Sequence, residues 1–404
     1  MRSALLIAFV LCIGLVAFFV STMRTPEVRV QSIHALIRQF DIDSLGPVPA
    51  SPDNALASNP AAIELGKALF ADPRLSPSGT FSCATCHDPV TGMPDKNPVS
   101  IAAGIGHRRT MPIAGAQYSA WLNWDGSADS LWSQSLGPME NPNEIASTRS
   151  FVARAVLEHY RPQIEAVLPA ASGFDESDWP VRASPVLEGE AALAWGRLDA
   201  QTRKQIDSVF VTAGKAIAAF ERTLLPERNR LDDVLGETPE ATTFTTARMS
   251  EAEVRGLELF VGEAHCVNCH AGPRFTDDFF HFTGVEPASA TPDPGRLAGL
   301  EIVRSNPFNC LGPHSDDPQR ACPELTFAVT DPLILNRAFR TSGLRGVGKR
   351  TPYMHAGQLA TLREVIRHYI DAPAIKGEGL HNDLMPLNLT EDDMDALIAF
   401  LQML

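Results

Sequence analysis

Residues 81–89 read Phe-Ser-Cys-Ala-Thr-Cys-His-Asp-Pro and contain the pattern Cys83-x-x-Cys86-His87. The second half of the chain carries the same pattern as Cys266-Val-Asn-Cys269-His270. C-x-x-C-H is the attachment signature of haem c, in which two cysteine thiolates add to the vinyl groups and the adjacent histidine ligates the iron. The two copies therefore predict two covalently bound haem c groups, held by His87 and His270.

Two other chemistries use a C-x-x-C pair, and the chain favours neither. A thioredoxin-like redox site needs a βαβ setting, which neither copy has. A zinc site could use both pairs, but the long stretch between Cys86 and Cys266 is not the spacing of a zinc ribbon. Two copies in one exported chain favour a dihaem cytochrome c.

The segments before the two sites also repeat. Glu64-Leu-Gly-Lys-Ala-Leu-Phe70 precedes the first site and Val254-Arg-Gly-Leu-Glu-Leu-Phe260 precedes the second. Both place apolar residues at helical spacing and are followed by a loop and then C-x-x-C-H. We therefore expect an all-α fold with two cytochrome c-like haem domains, at residues 33–245 and 246–404. The 31 prolines and 28 glycines predict long irregular loops between the helices.

The N-terminus predicts export of the chain. Met1-Arg-Ser3 precedes an unbroken run of apolar or small residues at positions 4–20. This run is near the lower limit for a membrane span and slightly long for the core of a signal peptide. Residues 1–24 are therefore expected to be a signal peptide or a membrane anchor, with the rest of the chain in the periplasm. Contact with the membrane is expected through this segment only.

The net charge of the chain indicates which kinds of partner it can bind. The formal net charge is −14, with acidic residues spread along the chain. This charge argues against binding to nucleic acid and is compatible with a basic protein partner.

Two cysteines lie outside the attachment motifs in a loop rich in proline and aspartate. In an oxidising compartment Cys310 and Cys322 most simply form a local disulfide. The alternative is two free thiols.

Seven motifs occur in a recognisable order along the chain. They are Glu64–Ser76, Cys83–His87, Trp124–Gly126, Leu136–Glu144, Phe220–Leu224, Cys266–His270 and Thr351–His355. Over residues 60–404 this order resembles the bacterial dihaem cytochrome c peroxidase/MauG superfamily. The resemblance implies that the N-terminal haem reacts with hydrogen peroxide and that the C-terminal haem stores or relays electrons.

The resemblance also implies the residues around the first haem. In the family a proline lies over the iron and a glutamate beside it, and Pro138 and Glu144 keep that spacing. Glu144 is expected to move a proton between the two oxygens of peroxide. Gln134 resembles a glutamine that lines the same pocket. His107 lies where some family members carry a distal histidine ligand, and a surface position is the alternative.

The sixth ligand of the second haem is expected on a helix after the Thr351–His355 motif. The family carries a methionine at this position in the peroxidases and a tyrosine in MauG-like proteins, and this chain has Tyr369. A core tyrosine on an amphipathic helix is the alternative role, and His368, Met354 and Met385 are the alternative ligands. A phenolate favours higher oxidation states of iron, whereas a thioether favours the reduced state.

The resemblance implies two further features. Trp124 corresponds to a tryptophan that lies between the haems and relays electrons, and a core indole is the alternative. Many family members bind calcium between the domains through an asparagine and two backbone carbonyls. Here Thr110 replaces the asparagine and Arg350 precedes Thr351-Pro-Tyr353, so the resemblance leaves calcium open.

These features together predict a periplasmic oxidoreductase that activates hydrogen peroxide at the N-terminal haem. With Tyr369 as a ligand, the MauG-like branch is favoured, in which an exported partner protein is oxidised through the C-terminal haem. One alternative is a cytochrome c peroxidase that takes electrons from a small cytochrome or cupredoxin. The other is a dihaem electron carrier without enzymatic activity.

Overall fold

A computed structural model describes residues 36–237, 248–373 and 382–404, and this part of the chain is mostly helical. Its α-helices are α1 (Pro60–Ala71), α2 (Leu131–Glu140), α3 (Arg149–Val167), α4 (Glu190–Arg197), α5 (Ala200–Glu221), α6 (Arg230–Glu237), α7 (Glu251–Val261), α8 (Arg296–Ser305), α9 (Pro323–Thr326), α10 (Pro332–Leu335), α11 (Leu362–Asp371) and α12 (Glu391–Leu401). Two short strands, β1 (Phe280–His281) and β2 (Phe339–Arg340), pair antiparallel. The all-α prediction is confirmed.

The predicted signal peptide or anchor at residues 1–24 lies outside the described residues. In the three described ranges, no helix has the length and apolar character needed to cross a membrane.

The first hydrophobic core forms where α1, α2 and α3 pack around the long helix α5. α1 begins cleanly because the Asn59 side chain accepts hydrogen bonds from the first turn and Pro60 occupies the first helical position. The helices α1 and α5 cross very closely, since a Cβ atom on Gly66 would lie 1.8 Å from the carbonyl oxygen of Ala216. Glycine is therefore required at position 66.

The second hydrophobic core repeats this arrangement with α7 and α12. Gly256 has the same place in the Val254–Phe260 repeat as Gly66 has in the Glu64–Phe70 repeat. A Cβ atom on Gly256 would lie 2.0 Å from the carbonyl oxygen of Ala396. The sequence repeat is thus a packing repeat, in which one glycine lets a helix cross its neighbour at backbone distance.

The second core also contains residues from far upstream in the chain. Ile37 and Phe40 pack there, and the Phe40 ring stacks on Phe275 with centroids 4.8 Å apart. Side chains of α6 join the same core. These segments precede residue 245 and yet pack with the C-terminal helices. The expected division into two domains at that residue stays a prediction.

A third, smaller core lies under α8, α9 and α10. Cys310 and Cys322 form a disulfide at its edge, with Cα atoms 6.1 Å apart, as the sequence predicted. The carboxylate of Asp129 accepts a hydrogen bond of 2.8 Å from the backbone N–H of Cys310. This contact connects the disulfide loop to the N-terminal half of the molecule.

Candidate functional site

The two C-x-x-C-H motifs adopt the same local structure. Each begins with a short 3₁₀ turn, at Cys83–Thr85 and at Cys266–Asn268. In each, the backbone N–H of the histidine donates to the carbonyl of the first cysteine, at 3.0 Å for His87 and 2.9 Å for His270. None of the four motif cysteines is in a disulfide. Both thiols of each motif are therefore available for thioether bonds to a haem.

The histidines of both motifs are suited to ligating iron. Burial lowers the pKa of His87 to about 4, and it also lowers the pKa of His270. Both imidazoles are therefore neutral, which is the form that binds a metal. Nδ1 of His270 lies 3.0 Å from the carbonyl oxygen of Phe275, so Nε2 is left as the metal-binding atom.

The first site differs in how its histidine is held. Nδ1 of His87 is buried and has no hydrogen-bond partner among the described residues. The ring lies 6.5 Å, centroid to centroid, from the buried ring of Phe70 on α1. Because Nδ1 makes no hydrogen bond, the orientation of His87 as an iron ligand would be set by packing against its neighbours. The donors at both sites fit haem c, with His87 and His270 as the iron ligands.

Glu144 lies close to the first attachment motif. Its negative charge acts on the thiols of both Cys83 and Cys86. Oε1 accepts a hydrogen bond of 3.0 Å from Nδ2 of Asn141, which also fixes the direction of the carboxylate. Burial raises the pKa of Glu144, and the bond from Asn141 opposes that shift. A half-buried carboxyl with a raised pKa is suited to proton transfer near neutral pH.

Pro138 and Gln134 are both on α2, the helix that leads into the Glu144 loop. Pro138 lies near the end of this helix, and its carbonyl accepts a hydrogen bond of 3.2 Å from the backbone N–H of Ile145. This bond ties the Glu144 loop back onto the helix. Nε2 of Gln134 contacts Oδ1 of Asn123 at 3.4 Å. The roles of both residues at the first haem stay predictions.

His107 is exposed in this structure. Its side chain is 78% exposed, and Nε2 lies 4.0 Å from a carboxylate oxygen of Asp293. The loop that carries it is held by backbone hydrogen bonds between residues 103–104 and 143–144. This position agrees with a surface histidine, and a role of His107 as an iron ligand stays a prediction.

Glu221 was not predicted as a site residue, although it lies within the Phe220–Leu224 motif. It is buried on α5, and its charge acts on the thiol of Cys83. Oε2 has a single long contact, 3.4 Å to the hydroxyl of Ser135. Burial raises the pKa of Glu221 to about 8, against a smaller opposing effect of Ser135. Glu221 is distinguished from an ordinary surface glutamate only by its burial between the packed helices.

Replacing Glu221 by Gln is expected to make the stability of the folded chain less dependent on pH. The folded chain keeps a proton that the unfolded chain releases, so stability falls as pH rises from 4.5 to about 8. An amide has no proton to lose and removes this slope. Denaturant unfolding of the haem-loaded protein at both ends of this range measures the effect. The exposed Glu158→Gln variant is the control, and an unchanged slope in the Glu221→Gln variant would contradict the prediction.

Tyr369 lies at the second attachment motif. It is on α11, and the thiols of Cys266 and Cys269 both act electrostatically on its phenol. Burial is the main cause that raises the pKa of Tyr369. The capping box of Thr361 and Glu364 starts α11 and so sets which residues face the motif. The phenol therefore lies within electrostatic range of the second motif, and its role as the sixth ligand stays a prediction.

Of the alternative ligands, one makes another contact and one is exposed. Nε2 of His368 lies 2.7 Å from the carbonyl oxygen of Thr283. Met385 is 73% exposed. Met354 has a left-handed backbone with φ of 69°, in the turn after Pro352. The phenol of Tyr369 interacts electrostatically with both motif cysteines.

Trp124 is connected to both halves of the molecule. Its Nε1 donates a hydrogen bond of 2.8 Å to the carbonyl of Arg109, which lies downstream of the first motif. The backbone N–H of Arg109 in turn donates to the carbonyl of His355 at 2.7 Å. The indole and the His355 ring meet edge to face, with centroids 6.5 Å apart. Trp124 is therefore packed at the junction of the N-terminal and C-terminal segments.

The chain is similar to known proteins along nearly its whole length. A family model described as di-haem cytochrome c peroxidase matches residues 60–240. Methylamine utilization protein MauG of Methylorubrum extorquens is 32% identical over 409 residues, covering 98% of this chain and 93% of that protein. Cytochrome c551 peroxidase of Pseudomonas aeruginosa is 28% identical, covering 84% of this chain and 78% of that protein.

The fold agrees with these matches. The crystal structure of a MauG-like protein associated with microbial copper homeostasis has a TM-score of 0.59, and the match covers 89% of this chain and 92% of that one. At 24% identity this similarity bears on the fold alone. With two C-x-x-C-H sites of matching local structure and a MauG relative along the whole chain, this protein belongs to the di-haem cytochrome c peroxidase and MauG family of oxidoreductases.

Proposed function

We propose that this hydrogen peroxide-utilising di-haem enzyme oxidises an exported partner protein through the haem held by His270. The observation that carries the proposal is the position of Tyr369 beside Cys266 and Cys269. A phenolate ligand stabilises higher oxidation states of iron, which suits the removal of electrons from a partner. A methionine there would instead suit the acceptance of electrons from a small redox donor.

In this proposal the haem held by His87 supplies the redox chemistry with peroxide when bound. The chain supplies the proton transfer. The Glu144 carboxylate takes a proton from the oxygen of peroxide nearer the haem and returns it to the departing oxygen, which leaves as water. Asn141 holds Oε1 by its 3.0 Å hydrogen bond, so the other carboxylate oxygen is left to carry the proton.

Trp124 is proposed as the electron route between the two haems. Its indole N–H is satisfied by the carbonyl of Arg109, so the ring is held in one orientation. The edge-to-face contact with His355 places it against the segment that leads to α11. A fixed, packed aromatic ring between two redox groups offers an intermediate site for an electron.

Replacing Trp124 by Phe is expected to slow electron transfer between the haems by about tenfold or more, which corresponds to about 1.4 kcal/mol of activation free energy. Phenylalanine keeps an aromatic ring but is harder to oxidise. Stopped-flow absorption after mixing with peroxide measures the step at each haem. Trp195→Phe, in the first core, is the control. Equal rates in the two variants would contradict the relay role.

The proposed function is tested by comparing two acceptors of oxidising equivalents. One assay mixes the enzyme, peroxide and a co-transcribed exported protein, and measures mass changes at aromatic residues of that protein. The other supplies reduced cytochrome c as donor and measures peroxide consumption. Modification of the exported protein supports the proposal, whereas rapid turnover with cytochrome c alone indicates a cytochrome c peroxidase. No reaction with peroxide would indicate an electron carrier.

The periplasm is the proposed location of the enzyme. The apolar run at residues 4–20 supports it, since such a run behind a basic N-terminus is typical of a segment that directs export. Mass measurement of the chain from periplasmic and membrane fractions would show whether residues 1–24 are removed. Recovery in the cytoplasm would contradict the proposal.

A further inference from the structure

Two buried arginines are associated with the two attachment motifs. Arg109 and Arg350 are each only 6% exposed. Within the described ranges, neither guanidinium has a carboxylate oxygen within 4.0 Å, and the Nε atom of each has no hydrogen-bond partner. Of the other buried arginines in the described residues, Arg149 and Arg340 have such a partner, whereas Arg296 donates to backbone carbonyls and lies over the rings of Trp121 and Phe280.

Arg109 is tied to the first motif and to the C-terminal half. Its Nη2 donates to the carbonyl oxygens of Asp95 and Thr351, both at 3.3 Å. Asp95 is itself bonded to the first motif, since its backbone N–H donates to the carbonyl of Cys86 at 2.9 Å. The guanidinium of Arg109 therefore spans the junction close to the first haem site.

Arg350 lies on the side of the second motif. It comes directly after the 3₁₀ turn Val347–Lys349, and its Nη2 donates to the carbonyl of Gly343. Its positive charge acts on the imidazole of His270 and on the guanidinium of Arg109. The two arginines therefore form a buried cationic pair, with one member toward each haem site.

Such a pair requires negative charge nearby. A buried charge without a counter-ion is strongly unfavourable, and here two like charges are close enough to oppose each other. The hydrogen bonds that the pair makes are to neutral carbonyls, and the one carboxylate whose charge acts on Arg109 is that of Asp95, which leaves one negative charge for two guanidinium groups. Each haem c brings propionate carboxylates to the site, and guanidinium is the side chain best matched to a carboxylate.

We propose that Arg109 and Arg350 bind the propionate carboxylates of the two haems, and that this cationic pair supplies the positive charge at the junction in place of a calcium ion. The carbonyl of Thr351 already accepts a hydrogen bond from Arg109, so it is directed at a donor. Two guanidinium groups beside that carbonyl would repel a divalent cation. The proposal rests on the two haems alone and is independent of the identity of the oxidised partner.

The experiment compares Arg350→Gln, Arg109→Gln and Arg350→Lys in the haem-loaded protein. The glutamine variants remove the charge and keep N–H donors, and the lysine variant keeps the charge and loses the planar fork. The exposed Arg304→Gln is the matched control. Reduction potentials are measured by spectroelectrochemistry, propionate bending bands by resonance Raman spectroscopy, and calcium by elemental analysis before and after chelation.

Loss of a positive charge beside a haem disfavours the reduced iron and lowers the potential. We expect Arg350→Gln to shift the reduction equilibrium of the haem held by His270 by about tenfold or more, which is about 59 mV for one electron. The propionate band should change in the same variant. Arg350→Lys should restore the potential but not the band, and Arg304→Gln should change neither. The unmodified protein should keep its potentials and spectrum after chelation.

Three results would overturn the proposal. The first is unchanged potentials and unchanged propionate bands in both glutamine variants. The second is one bound calcium per chain whose removal alters the haem spectrum. The third is a potential that depends on whether chloride or sulfate is present at constant ionic strength, because a free anion would then be the partner of the arginines. If Arg350→Gln fails to load haem, Arg109→Gln and Arg350→Lys decide the outcome.

Discussion

Replacing Glu144 by Gln is expected to lower the rate of reaction with hydrogen peroxide by roughly 100- to 10,000-fold, the usual contribution of a positioned acid–base group. Glutamine preserves the shape of the side chain and can still accept the hydrogen bond from Asn141. It cannot take a proton from peroxide. The loss should therefore appear in the step with peroxide, with both haems still attached and their resting spectra unchanged.

The pH dependence of the unmodified enzyme gives a second measurement of the same role. The base form of Glu144 is the one that accepts a proton, and burial raises the pKa of this carboxyl. Activity should therefore fall as pH decreases through the raised pKa, and Glu144→Gln should lose this limb of the profile. Glu158→Gln on α3 is the matched control for a carboxylate at the surface. A Glu144→Gln variant with full activity would remove this residue from the mechanism.

Replacing Tyr369 by Phe is expected to abolish the low-spin signal of the haem held by His270 and to slow partner oxidation by about tenfold or more. Phenylalanine fills the same space on α11 but has no oxygen to bind iron. Since Tyr369 lies at the second motif, the reaction of peroxide at the first haem should begin at its usual rate. Electron paramagnetic resonance and stopped-flow absorption separate these two effects.

A matched control distinguishes ligation from the loss of any phenol. Tyr118 donates its hydroxyl to the carbonyl of Gly46 at 3.0 Å, in the N-terminal half of the molecule. Tyr118→Phe should leave both haem signals unchanged. A low-spin signal that survives in Tyr369→Phe would show that another group ligates the iron, and the reason to favour partner oxidation over simple peroxide reduction would then be lost.

The attachment chemistry and the class of fold could be predicted from the chain alone because both depend on local sequence. C-x-x-C-H specifies its own 3₁₀ turn and its own ligands within a few residues, as the matching turns at Cys83 and Cys266 show. The helices before each motif carry a 3.6-residue pattern, and the repeated glycine marks the place where a second helix crosses. The order of motifs indicated the family, and hence Glu144, Trp124 and Tyr369 as candidates.

The chain alone could not show which side chains become buried, or which groups they lie beside. Arg109 and Thr351 are far apart in sequence yet share a hydrogen bond, and Glu221 and Arg350 look like ordinary charged residues until helices and loops close over them. His107 has the sequence position of a ligand, and only the structure shows that its side chain is exposed. Burial is a property of packing between distant segments, and it sets the pKa of a carboxyl and the cost of an unpaired charge. The sequence by itself thus determined the two haem c attachment motifs, whereas only the tertiary structure decided which charges surround them.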